Sequence, residues 1–190
     1  SEETVTSAQL AAAGVGVGSN LVVRFTANDG GAGSIHEAGI DGFAVQTIEC
    51  DPGGIGTLYC TPAVTNSTGS PATLRGQGSE ALVDNDVTLI AESLPAQSLG
   101  YFLVSPTAAN VPNAGGSTGT LCLGLPLGRY AGNVLNSGAS GVYQMPVDLT
   151  SIPQPTGSVA ASVGQTWRFQ AWYRDNFLGT PTSNFTPGLA

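Results

Sequence analysis

Three cysteines, a single histidine and a serine set between glycines are the residues of this chain whose types could carry chemistry. His36 stands alone, which excludes zinc sites built on two or three imidazoles. Gly115-Gly116-Ser117-Thr118-Gly119 matches the G-x-S-x-G pattern of a nucleophilic serine. That pattern works on a strained turn from a strand into a helix, whereas here it lies in a Pro/Gly loop with no helical segment after it. No catalytic residue is assigned, and the chain is expected not to be an enzyme. Gly14-Val15-Gly16-Val17-Gly18 has neither the spacing of a dinucleotide-binding turn nor a following helix, and reads as a hinge. Asp29, Glu37 and Asp41 are the candidates for a calcium ion at the end of a sandwich, because hard cations prefer carboxylate and carbonyl oxygens. Solvated turn carboxylates are the competing reading, and no other cofactor is expected. Asp84-Asn85-Asp86 opens like an EF-hand loop but lacks the later glycine and the closing glutamate, so it reads as a turn. Trp172 could stack on a sugar ring, although covering a neighbouring strand is the commoner use of such a residue. Asn66-Ser67-Thr68 and Asn184-Phe185-Thr186 are glycosylation sequons, meaningful only in a source that glycosylates.

Cys50, Cys60 and Cys122 lack the Cys-x-x-Cys spacing of a metal site. In an extracellular β-chain they imply one bridge and one remaining thiol. Cys60–Cys122 would close a loop of about 60 residues and contribute on the order of 4 kcal/mol, while Cys50–Cys60 is the competing local choice.

Strands must position these residues. The chain of 190 residues holds 27 glycines and 12 prolines, which break it into short alternating runs. Leu21, Val23, Phe25 and Ala27 share one face of a strand; Val87, Leu89 and Ala91 share another. Tyr143, Met145, Val147 and Leu149 alternate with polar positions, and Pro146, which cannot donate to a ladder, marks that strand as an edge. Trp167, Phe169, Ala171 and Tyr173 form the heaviest apolar set, predicting a central strand with Arg168, Gln170, Trp172 and Arg174 on its other face. Tyr101–Val104 is a short unbroken apolar run, as in a strand buried on both faces. Helix-forming composition is confined to Ser7–Ala13, too short to be stable unaided. The fold class is therefore all-β, an antiparallel β-sandwich of jelly-roll or immunoglobulin-like kind.

Five arginines and no lysine stand against thirteen acids, a net charge of −8, which repels nucleic acid and anionic lipid. Charged residues make up 9% of the chain, against about 25% in typical soluble domains, so Ser, Thr, Asn and Gln carry the solubility. No segment reaches the roughly 20 apolar residues of a membrane helix. Ser1 reads as a processed or trimmed start, and an extracellular location, secreted or at the cell surface, is expected.

In combination, Tyr59-Cys60-Thr61-Pro62-Ala63-Val64, Asn66-Ser67-Thr68-Gly69, Tyr101-Phe102-Leu103-Val104-Ser105, Leu121-Cys122-Leu123-Gly124, Gly128-Arg129-Tyr130 and Asn136-Ser137-Gly138-Ala139 form one set of motifs. Asp148-Leu149-Thr150, the run from Trp167 to Asp175 and Ser183-Asn184-Phe185-Thr186 complete it. Over about 130 residues this set resembles an uncharacterised C-terminal module of secreted bacterial proteins. That resemblance implies a module ending multidomain surface or secreted proteins, some with hydrolase domains upstream, and no assigned activity. It also implies the Cys60–Cys122 bridge, with Cys50 an addition. Members of the family run on past the Asn-Phe-Thr motif into a last apolar strand, whereas Pro187-Gly188-Leu189-Ala190 is expected to leave that strand missing.

The front of the chain, Val22–Ala27 and Ile35–Val45, resembles the last two strands of a jelly-roll sandwich found beside secreted peptidases. Two domains follow: residues 1–49 as an arm and partial sandwich, and 50–190 as the C-terminal β-sandwich module. An incomplete unit at one end and a missing strand at the other would be repaired by strand exchange between subunits. Leu10, Val15, Val17, Leu21, Val23 and Phe25 are the candidate self-association residues. The expected function is a structural subunit that self-associates into a filament or surface layer, with itself as partner; the alternative is an accessory carbohydrate-binding or sorting module cleaved from a larger hydrolase.

Overall fold

The computed structural model describes residues 54–190, which lie within a compact unit running from Ile48 to Ala190. The strand expected at Leu21–Ala27 and the jelly-roll remnant lie outside the described residues.

The described residues form short strands joined by turns: β1 (Gly54–Ile55), β2 (Leu58–Tyr59), β3 (Thr73–Gly78), β4 (Val87–Glu92) and β5 (Leu99–Ser105). Next come β6 (Ala108–Pro112), β7 (Thr120–Leu123), β8 (Gly128–Arg129), β9 (Leu135–Asn136) and β10 (Tyr143–Val147). The last are β11 (Ile152–Gln154), β12 (Gly157–Val159), β13 (Arg168–Phe177), β14 (Thr180–Phe185) and β15 (Gly188–Leu189). Helix is limited to two 3₁₀ turns among these residues, Leu82–Asp84 and Ala114–Gly116. The Asp84-Asn85-Asp86 stretch is a turn, with Asn85 left-handed.

Two antiparallel sheets face each other across one core. The smaller runs β1-β3-β4-β10; the larger runs β2-β15-β13-β5-β8, with β14 beside β13 and β9 beside β5. Leu89 and Ala91 of β4 and Tyr143, Met145 and Val147 of β10 meet Phe102 and Val104 of β5 and Phe169, Ala171 and Tyr173 of β13. Tyr143 and Phe102 touch edge to face across the layers, their rings 6.5 Å apart. The period of two read from the sequence is the period that places each apolar set inward. Pro146 faces solvent on β10, which pairs with β4 alone among the described residues, so that strand is an edge of the smaller sheet there. Val104 and Leu103 are both buried, on opposite faces of β5.

The central strand differs from expectation at its start. Trp167 precedes β13 and is half-buried at the core's margin rather than within it, because the ladder to β5 begins at Arg168. Its opposite face is covered too. The β6–β7 hairpin lies over it, so Gln170 is fully buried, and Arg168 donates from Nη1 to the Pro106 carbonyl at 2.6 Å. Gln170 accepts the Cys122 N–H at 2.9 Å and donates from Nε2 to the carbonyls of Thr120 (2.9 Å) and Thr186 (2.7 Å). The strand expected to be missing after Asn-Phe-Thr is present: Gly188–Leu189 sits between β13 and β2, and Leu189 joins the core.

Cys60 and Cys122 are disulfide-bonded, tying the segment after β2 to the covering hairpin across 62 residues of chain. Reduction is expected to remove about 4 kcal/mol of stability and lower the melting temperature by roughly 10 °C. Calorimetry with and without reductant checks this, and an unchanged transition refutes it.

Three tyrosines give the core a pH limit. Burial pushes the Tyr143 hydroxyl up to about 12, partly opposed by its hydrogen bond to Ser98. Burial also raises Tyr173 and Tyr130, the latter further by the carboxylate of Asp148. An unfolded tyrosine ionises near pH 10, so above that pH the unfolded chain has lost protons the native one keeps. Stability should therefore hold up to about pH 10 and fall steadily from there to about pH 12. Melting temperature and the tyrosinate absorbance of these three residues should change together; ionisation of all five tyrosines of the chain near pH 10 without unfolding would show that these hydroxyls are not buried.

Candidate functional site

The sequence candidates divide sharply. Asp29, Glu37 and Asp41, proposed for calcium, lie outside the described residues, as do Leu10, Val15, Val17, Leu21, Val23 and Phe25, proposed for self-association. Ser117 is buried in the loop of the β6–β7 hairpin and donates from Oγ to the Gly119 carbonyl at 3.2 Å, so no elbow presents it.

Both sequons are structural. Asn66 Nδ2 donates to the Ser93 carbonyl at 2.8 Å and to Tyr173 Oη at 3.3 Å, while its Oδ1 accepts from the N–H and Oγ1 of Thr68. Asn184 is fully buried. Its Nδ2 reaches the Val64 carbonyl at 3.2 Å and Asp175 Oδ2 at 3.5 Å, and its Oδ1 accepts the Phe185 N–H. Asp175 Oδ1 takes the N–H groups of Ser67 and Asn176. This network fastens the 62–71 loop to the β13–β14 hairpin.

A cleft of about 830 Å³ opens between the sheets where β13 begins. Trp167, Phe169, Leu89, Leu149, Ile55 and Leu189 line it, drawn from both sheets and from the loops at that end. Gly76 sets its floor: a Cβ there would lie 2.9 Å from Ile55 and 3.2 Å from Leu189, so only glycine lets those side chains close over β3. Val83 and Val163 stand on the rim, each 90% exposed. Glu80 is the one charged residue in the lining among the described residues. The indole Nε1 of Trp167 is buried with no hydrogen-bond partner among them.

A second apolar feature lies at the other end of β13. Phe177 pairs with Thr180, leaving Leu178 and Gly179 as a two-residue turn with φ of 49° and 85°. Phe177 is 52% and Leu178 90% exposed. On the outer face, Tyr101 packs on Trp172 with ring centroids 5.1 Å apart, and the Arg174 guanidinium lies 5.3 Å over the indole. Trp172 thus covers its neighbours, against Leu103 and Phe185, while keeping part of its surface in solvent.

Sequence periodicity put Leu89, Leu149, Trp167 and Phe169 on inward faces without showing the gap left beside them, and it missed the tip, which sits on no alternating run. The one available signal was turn chemistry: Leu178 occupies a position where Asn or Asp is usual before glycine.

Replacing Asn184 by Ala should cost about 2–3 kcal/mol, since it strips partners from the buried Asp175 carboxylate and from the carbonyls of Val64 and Thr65. Urea midpoints check this, and a loss under half a kilocalorie would mean water replaces the amide.

No family model matches this chain, and neither does any curated protein or solved structure.

Proposed function

We propose that this chain is a secreted, disulfide-bonded structural protein that acts by self-association, as a subunit of an extracellular filament or surface layer, and not by catalysis. The observation that carries this reading is the open apolar cleft with its two exposed rim valines. Covering those exposed valines would remove apolar surface from water and so favour association. The low charge content fits the same role, because 9% charged residues leave little electrostatic repulsion local to any one face. The disulfide suits an oxidising compartment. The similarity to a C-terminal module of secreted bacterial proteins belongs to the same proposal. Strand exchange at the C-terminal end no longer supports it, since β15 is already paired.

A second reading, an accessory carbohydrate-binding module, is favoured by the Tyr101–Trp172 stack with Arg174 beside it, a partly exposed aromatic surface able to lie against a sugar ring.

Sedimentation velocity of the full chain over a concentration series, with negative-stain microscopy of the same samples, tests the two. Growth in size with concentration supports self-association. A monomer at every concentration that is retarded by an insoluble polysaccharide, and released by Trp172→Ala, supports the second reading and rules out the first.

A further inference from the structure

We infer that the Phe177–Leu178 tip of one copy seats in the cleft of the next, so that subunits add head to tail along the direction of β13. This inference rests on the self-association reading and names its contact. Three observations carry it.

The first is the turn itself. A two-residue hairpin loop with positive φ at both positions is the geometry that Asn-Gly and Asp-Gly adopt without strain. Here the first position is leucine at φ 49°, a branched side chain in the left-handed region, where its Cβ crowds the backbone. That same side chain is 90% exposed at the most projecting point of the hairpin. The residue is thus poorly suited both to its backbone and to water, a combination that persists where a side chain is needed outside its own fold. Phe177 beside it is half in solvent, and Asn176, Thr180 and Pro181 around it carry no charge.

The second is the cleft. Its 830 Å³ falls within the roughly 300–1,000 Å³ of pockets that bury compact ligands, ample for a phenylalanine and a leucine side chain together. Half-buried Trp167, Ile55, Val87 and Leu149 give it an aromatic and aliphatic wall, over the buried Phe169 and Leu89. An uncharged apolar plug is what such a lining accepts, and the tip is one. Glu80, the one charged side chain in its lining among the described residues, already accepts the Gly56 N–H at 3.2 Å and needs no cation from the plug.

The third is placement. The cleft adjoins the first residues of β13 and the tip follows its last, so the ten-residue strand separates them by about 30 Å at roughly 3.3 Å per residue. A tip cannot reach the cleft of its own copy. Contact between two unlike patches is heterologous, leaves a free cleft at one end and a free tip at the other, and propagates unless rotation closes a ring.

The test uses the full chain and two exposed positions, Leu178→Asp in the tip and Val163→Asp on the cleft rim, followed by sedimentation velocity. Wild type should form a ladder of species growing with concentration, and each variant should associate about tenfold or more weakly. Mixing the two variants should give a one-to-one dimer and nothing larger, since one intact tip and one intact cleft remain to meet. Leu178→Asn, which suits the left-handed turn, should keep or raise the melting temperature while still weakening association, so loss of assembly cannot be laid to misfolding. If wild type assembles and the variants assemble equally well, or if the mixed variants stay monomeric, this contact is wrong while self-association stands. If wild type is a monomer throughout, both fall.

Discussion

Gln170 of β13 joins the covering strand β7 to the segment at Thr186, between β14 and β15. Its carboxamide accepts the N–H of Cys122 and donates to the carbonyls of Thr120 and Thr186, with every polar atom used and none in water. A buried amide so placed fixes the covering hairpin to the sheet, because leaving any of these groups unpaired would cost about 1–3 kcal/mol each. With the hairpin held there, β13 is packed on both faces: against the smaller sheet on one side, and under β6 and β7 on the other. The disulfide at Cys122 then carries the same anchorage to the segment following β2. The two ends of β13 are for this reason set at a fixed separation, and whatever lies at those ends is presented rigidly.

Much of this frame was legible in the residues. Val87, Leu89 and Ala91, and Tyr143, Met145 and Val147, each read as one face of a strand because one face of each strand is buried, and burial imposes a period of two. Pro146 announced an edge through the donor it lacks. The buried polar residues were not legible. Nothing local distinguishes Gln170 from a solvated glutamine, since its partners come from positions 48 and 16 residues away. Asn66 and Asn184 carry a local pattern that suggests a different use, and only the distant carbonyls and the Asp175 carboxylate reveal what they do. The two-residue strands β1, β2, β8, β9 and β15 escape any window because their pairing is dictated by longer neighbours. Trp167 was placed one residue too deep: alternation continues through it, but the ladder does not.

The cleft is a feature of assembly rather than of any segment. It exists because the loop from Ala161 to Thr166 and the turn around Leu82 stand apart at one end of the sheets, while Leu189 and Ile55 close only the floor. A chain with so few charges has little else to keep such a surface from its neighbours. In the proposed role, composition and shape act in the same direction.

The two buried asparagines bear on where this fold can be made. In secretory compartments that glycosylate, the oligosaccharide is transferred to an Asn-x-Ser/Thr tripeptide while the chain is still extended, before burial can shield it. A bulky, strongly hydrated glycan on Asn66 or Asn184 would then have to be drawn into the space between the 62–71 loop and the β13–β14 hairpin, where each amide hydrogen already has an acceptor. The sandwich and the sugar exclude each other. A host without that transferase imposes no such conflict, whereas in one that has it the yield of folded protein is set by how often the enzyme misses both sites.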